Sequence, residues 1–194
     1  MPLQNRVDPW GNLVATGEHG TLMGNRGGRI HLADKTLGRR RWASNRWISC
    51  EVAFKGRHRI IWGDSYTELF FLDDVTALAA GHRPCFECRR AEAKAFVGLR
   101  NLSELDRMLH AERKADRPMV PVGDVPSGAM IEHDGAAFAR RGKHFLHWSF
   151  AGYREAVHFN PAMRVKLLTP PTITAILAHG FQPRWHETAQ QWDD

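Results

Sequence analysis

Two cysteines, Cys85 and Cys88, stand in the run Gly81-His82-Arg83-Pro84-Cys85-Phe86-Glu87-Cys88-Arg89-Arg90. On a tight turn led by proline, two thiolates at this spacing can grip one metal ion. Zinc is the usual occupant, because it accepts thiolate readily and has no redox chemistry. A structural zinc takes four ligands, and the chain holds one other cysteine, Cys50. The metal expectation is therefore Cys50, Cys85 and Cys88 plus a ligand of another type. Two other uses of the pair stay open from sequence. One is a pair of buried apolar thiols. The other is a redox dithiol, although those open a helix after a strand, and here a helix-like stretch leads into the pair.

Such a knuckle must be embedded in a small domain, and 194 residues suit one domain or two small ones. No apolar run is long enough to span a membrane. Residues 1–6 lack the apolar core of a signal peptide, and three cysteines suit a reducing compartment. These features predict a cytoplasmic protein with no membrane partner. The formal charge of +6 points to an anionic partner, nucleic acid first.

The charge is clustered. Arg26, Arg29, Lys35, Arg39, Arg40, Arg41 and Arg46 share a segment whose one acid is Asp34, with Trp42 and Trp47 interleaved. Arg57, Arg59, Arg83, Arg89 and Arg90 follow on both sides of the knuckle. Guanidinium forks bond two phosphate oxygens at once, and an indole face accepts a stacked base. The expected nucleic-acid contacts are Arg39, Arg40, Arg41, Trp42, Arg46, Trp47, Arg83, Arg89 and Arg90. The bland alternative is a solvated basic loop with its tryptophans in the core.

Along the chain, residues 21–28 read as a glycine-rich loop that lacks the Gly-Lys-Ser/Thr of a P-loop. Residues 47–54 read as a strand with a hairpin partner at 59–62, and 66–72 as another strand. Asp73 or Asp74 caps a short helix ended by Gly81, and a helix runs from Arg89 to Leu99. Ser103 to Asp106 resembles a capping box opening a helix. On that helix Asp106 and His110, four residues apart, form a weak acid–base candidate. The proline-rich 116–127 reads as a linker. Strands at 129–133 and 136–140 flank an Asp134-Gly135 hairpin turn, and further strands fall at 144–150, 154–159 and 164–168. Pro170-Pro171 opens a last helix stopped by Gly180, and the tail from Gln190 reads as frayed.

Residues 47–92 resemble the N-terminal zinc module of the bacterial Ada DNA-repair protein. The match lies in a strand ending in Cys50, an aromatic strand Leu69-Phe70-Phe71, the short helix Val75-Thr76-Ala77-Leu78-Ala79-Ala80, and Gly81 through Arg89. It covers about a quarter of the chain. In that family four cysteines hold zinc and the first accepts a methyl group from a DNA phosphotriester. The resemblance gives Cys50 the acceptor's place and makes it a weak catalytic candidate. The family's second cysteine lies four residues after the first, where this chain has Phe54. Three thiolates and a neutral histidine leave less negative charge than four thiolates, so the sulfur is a poorer nucleophile. The resemblance thus implies the zinc-held DNA-binding platform rather than methyl transfer. His31 and His58 stand as possible fourth ligands. His82 is weaker, because it replaces the family's aromatic residue.

These readings predict an α+β protein. Residues 1–115 would hold the basic loop, zinc module and helices. Residues 116–194 would form a β-rich, partly barrel-like half with a C-terminal helix, packed with the first half as one unit. The predicted function is a zinc-stabilised nucleic-acid-binding protein of DNA-repair type, DNA ranking ahead of RNA. The alternatives are an enzyme on nucleic acid or a modified nucleotide, and a structural-zinc protein-interaction module.

Overall fold

The computed structural model describes residues 1–56 and 60–192. The α+β class holds, with two six-stranded sheets and four α-helices among the described residues. The N-terminal part supplies strands β1 (Arg6–Val7), β2 (Leu13–Val14), β3 (Leu22–Arg26), β4 (Trp47–Glu51) and β5 (Leu69–Phe71). Helix α1 (Asp74–Ala79), the short β6 (Arg83–Pro84), α2 (Arg90–Val97) and α3 (Leu102–Lys114) follow. The first sheet runs β2-β1-β5-β3-β4-β6, with parallel pairings at β1–β5 and β4–β6.

The second sheet holds β7 (Met119–Pro121), β8 (Met130–His133), β9 (Ala136–Arg141), β10 (His144–Ser149), β11 (Gly152–Val157) and β12 (Arg164–Leu167). It is antiparallel throughout, in the order β11-β10-β9-β8-β12-β7. Its end strands β11 and β7 do not pair, so the sheet is open rather than a closed barrel. The β8–β9 hairpin turns at Asp134 (φ 49°) and Gly135 (φ 75°), as the Asp-Gly signal predicts. Helix α4 (Pro171–Ala178) starts with Pro171 as its first residue, and Glu187–Trp192 forms a 3₁₀ turn. No helix is long and apolar enough to cross a membrane among the described residues.

Several expectations are corrected. Residues 22–26 are not a loop but the strand between β4 and β5. Gly24 makes that possible, because a Cβ there would lie 2.2 Å from the Ile48 carbonyl oxygen. With β3 on one side and β6 on the other, β4 needs no hairpin partner. Residues 57–59 lie outside the described residues, and Ile60–Trp62 is not a strand. There the Trp62 backbone N–H and indole N–H both donate to Glu68, at 2.9 Å each. Helix α3 is capped by Asn101, whose side chain accepts from Glu104 N–H, and not by Ser103. The proline-rich linker contains β7 and a 3₁₀ turn, because Val120 and Val122 pack into the core. Within the tail Trp192 packs beside the buried Ala189 and is not frayed, while residues 193 and 194 lie outside the described residues.

The largest core lies between the helices and the second sheet. Leu78, Phe96, Leu105 and Leu109 meet Ile131, Phe145, Val165, Ile173 and Leu177 there. Polar links cross the same boundary. Asp73, the cap of α1, accepts from Tyr153 Oη at 2.8 Å and from the His186 backbone N–H at 3.1 Å. Trp148 Nε1 donates to Thr76 Oγ1 at 3.0 Å. The first turn of α1 thus ties the second sheet and the C-terminal segment to that helix.

Two buried ion pairs flank the knuckle. Arg83 grips Asp106 of α3 with Nε and Nη2 at 2.7 and 2.8 Å. Arg89 grips Asp74 of α1 with Nη1 and Nη2 at 2.6 Å each, and Nη1 also reaches Ser49 Oγ at 2.9 Å. Removing one partner leaves a buried charge uncompensated, at a cost of about 3–5 kcal/mol. Asp74→Ala and Asp106→Ala should each lower unfolding free energy by that order in urea titrations. Arg90→Ala, on the exposed start of α2, should stay within about 0.5 kcal/mol of wild type. A clamp variant that melts like Arg90→Ala would refute the role given to these pairs.

Candidate metal centre and basic surface

The knuckle is built by strand pairing. β6 lies parallel to β4, with Ile48 opposite Arg83 and Ser49 opposite Pro84. Cys85 N–H donates to the Ser49 carbonyl at 2.9 Å, which sets Cys85 beside Cys50 near the end of β4. The turn then brings back Cys88. The ligand atoms of Cys50, Cys85 and Cys88 all lie within 4.8 Å of one another. Backbone N–H groups point at two of the sulfurs: Glu87 N to Cys85 Sγ at 3.3 Å and Glu51 N to Cys88 Sγ at 3.4 Å. Such donors stabilise thiolate. Without a metal, the Cys50 thiol donates to its neighbours, which pushes it up and Cys85 and Cys88 down.

The donor set fits zinc in type and in spread, since three Zn–S bonds of ~2.3 Å hold sulfurs at most about 4 Å apart, within a small closing movement. The sulfurs converge, which sets this cluster apart from buried thiols scattered in a core. Met23, Ile48 and Phe70 pack around them. Cys50 is 7% exposed and Cys88 is the most open of the three. Burial in an apolar wall is poor access for a methyl acceptor.

His31 does not join the cysteine cluster. Its Nδ1 pairs with Thr67 Oγ1 at 2.7 Å, its Nε2 with the Gly63 carbonyl at 2.9 Å, and its ring stacks on Trp62. His58 lies outside the described residues. His82 is fully buried against Trp47 and Phe71, away from the sulfurs, and burial together with Arg26 and Arg113 pushes it well down, so it is neutral.

The expected phosphate contacts divide in two. Arg83 and Arg89 are 4% and 1% exposed and bound to carboxylates, so they hold the fold and cannot meet a phosphate at the surface. Trp47 is also removed: it is buried, with the guanidinium carbons of Arg26 and Arg113 over its ring at 4.0 and 4.6 Å. Arg39, Arg40, Arg41, Arg46 and Arg90 are exposed and have no carboxylate partner among the described residues. Trp42 is 38% exposed and lines a shallow hollow with Arg39, Arg40 and Arg41. Arg46 lines a separate cleft of about 500 Å³ that includes Cys85, Tyr66 and Phe86.

The Asp106–His110 pair does not form. Both oxygens of Asp106 serve Arg83, while His110 turns its ring onto Trp42 at 5.3 Å. Burial, with Lys114 and Arg113 nearby, pushes His110 down. Sequence reasoning missed a third group altogether. Arg26, Arg41, Arg113 and Arg117 come from β3, the basic loop, the end of α3 and the segment just after it to line one cleft with Trp10. The i, i+4 spacing of Arg113 and Arg117 was the available signal.

Comparison of the chain with family models, curated proteins and solved structures finds no match. The likeness to the Ada zinc module therefore rests on the residues of 47–92 themselves.

Zinc analysis of purified protein should give one ion per chain. Cys85→Ser should lose it and lower thermal stability, because ligand binding to the folded state alone adds to its stability. Acidification should release the metal, since its ligands must be deprotonated. Wild-type protein that carries no zinc and binds none on reconstitution would refute the centre.

Proposed function

We propose that this chain is a zinc-organised nucleic-acid-binding protein, of the repair-associated kind that the Ada resemblance implies. One observation carries the reading. Arg39, Arg40 and Arg41 lie exposed in sequence, free of carboxylate partners among the described residues, beside an exposed Trp42. Basic side chains already paired with acids release few counterions on binding, whereas unpaired ones neutralise phosphates fully. Trp42 adds a face on which an unpaired base can stack.

Zinc serves this function by position. Cys50 lies near the end of β4, so a metal joining it to the knuckle ties β4 to the end of β6. Strand β4 is preceded directly by the basic loop. The metal thereby stiffens the base from which the loop projects. Arg46 and Arg90 extend the basic surface on either side of the knuckle in sequence. No methyl transfer is part of this reading, given the burial of Cys50.

A second reading has its own observation. The cleft of about 500 Å³ beside Cys85 also holds Arg46, Tyr66 and Glu87, a polar and aromatic set suited to a modified nucleotide. It would make the protein an enzyme whose substrate sits next to the metal.

Duplex DNA affinity, measured across salt concentrations, tests the first reading. Log affinity should fall linearly with log salt. The triple change Arg39→Ala, Arg40→Ala, Arg41→Ala should flatten the slope by about two to three units. An unchanged slope would remove these arginines from the interface. Tighter binding of single strands than duplex, lost in Trp42→Ala, would assign the stacking role to Trp42.

A further inference from the structure

The cleft of about 360 Å³ between the N-terminal strands and the end of α3 is lined by four arginines and by no Asp or Glu. We propose that it binds a phosphate monoester, held by Arg26, Arg41, Arg113 and Arg117, with Trp10 against the group that bears the phosphate. This site lies apart from the sulfur cluster, and it engages one phosphate in a hollow rather than a backbone along a surface.

The first argument is what the guanidinium groups bind already. Arg26 Nη2 donates to the Gly11 carbonyl at 2.7 Å and Nη1 to the Arg41 carbonyl at 3.4 Å. Arg113 donates Nε and Nη2 to the Gly81 carbonyl at 2.9 and 2.7 Å, and Nη1 to the Asn45 carbonyl at 3.0 Å. Arg117 Nη1 donates to the Glu112 carbonyl at 2.9 Å. Carbonyl oxygens fix a guanidinium in direction but leave its charge intact. A guanidinium has five N–H donors, so each keeps some for a ligand. Arg26 is 3% exposed, and its Nε has no partner among the described residues.

The second argument is that nearby acids are spent elsewhere. Asp8 accepts from the Asn12 backbone and side chain at 2.8 and 2.9 Å. Asp106 is held by Arg83. The Glu112 carboxylate accepts from Thr172. Burial pushes both Arg26 and Arg113 down to about 9; Arg113 and Arg41 add to this at Arg26 against Asp8, while at Arg113 Asp106 and Glu112 oppose it and Arg83 and Arg117 add to it. Concentrating like charges in this way is costly, and buried charge is ordinarily paired. A bound anion supplies the missing pair.

The third argument concerns which anion. Four positive groups converging on one hollow match a dianion with three terminal oxygens better than a diester, which carries one charge and continues in both directions. Arginine forks favour phosphate geometry. The volume lies near the lower end of the ~300–1,000 Å³ of small-ligand sites, which admits a mononucleotide or a strand end. Trp10 is 37% exposed, and its indole N–H is anchored to Glu132 of β8 at 2.7 Å, so its ring is held in place for stacking.

Titration calorimetry at low salt tests the site with inorganic phosphate, adenosine 5′-monophosphate, and one oligonucleotide with and without a 5′-phosphate. Arg41→Gln and Arg117→Gln are suitable variants, because Arg41 is exposed and Arg117 half-buried, and both should melt like wild type. Each should weaken the monophosphate by about tenfold, as expected for one charged hydrogen bond. Arg39→Ala with Arg40→Ala should reduce duplex binding and leave the monophosphate unchanged. Preference for the phosphorylated strand end would name nucleic acid as the source, and preference for the mononucleotide would name a free nucleotide. No saturable binding of any phosphate probe would overturn the proposal, as would binding that neither cleft variant weakens.

Discussion

The two guanidinium–carboxylate clamps, Arg83 with Asp106 and Arg89 with Asp74, decide where the knuckle sits. They bracket Cys85 and Cys88 in sequence and tie them to α3 on one side and α1 on the other. A buried ion pair contributes little net stability, because desolvation offsets most of its Coulomb gain. Its contribution here is geometric. A bidentate pair has one good orientation, so the turn between the clamps can hold its sulfurs at metal-binding distance before a metal arrives. Apolar packing alone would leave that turn free to rotate.

The arginines of this chain thus do three different jobs, set by what lies opposite each. Where a buried carboxylate faces the side chain, as at Arg83 and Arg89, the charge is cancelled and the residue is part of the core. Where backbone carbonyls face it, as at Arg26 and Arg113, the direction is fixed and the charge survives. Where solvent faces it, as at Arg39 and Arg40, both direction and charge stay free. A net charge of +6 sums over all three classes and distinguishes none of them. Only the second and third can attract an anion, and they do so in different ways, one as a shaped hollow and the other as a diffuse field.

This division explains what could be read from the sequence. The thiol cluster was legible because cysteine is scarce here and its spacing is local. The Asp-Gly hairpin, the helix opened by Pro171 and the α+β class were legible for the same reason: each depends on neighbours in the chain. The clamps were not, because Arg83 meets an acid 23 positions away and Arg89 one 15 positions away. Asp106 read as a partner for His110 on helical spacing, and its real partner came from another element. Strand β3 was hidden by its glycine, whose close approach to Ile48 is a tertiary fact. His31 read as a ligand by type, yet Thr67 and Gly63 had already taken both of its nitrogens.

The cysteine cluster and the arginine cleft are joined through a short piece of backbone. Gly81 has φ of 80°, and a Cβ there would lie 2.9 Å from Arg113 Cγ. Glycine therefore lets the Arg113 stem lie against the chain, where the Gly81 carbonyl takes two of its N–H groups. Two residues on, Arg83 engages the same helix through Asp106. His82, between them, fills the space behind Trp47, the ring on which Arg26 and Arg113 rest. Any displacement of β6 must then move Trp47's support and the carbonyl that aims Arg113. The pairing of β6 with β4 fixes that position, and a metal joining Cys50 to Cys85 fastens the same two strands. The cysteine cluster and the proposed anion cleft are consequently parts of one mechanical unit, although no residue belongs to both.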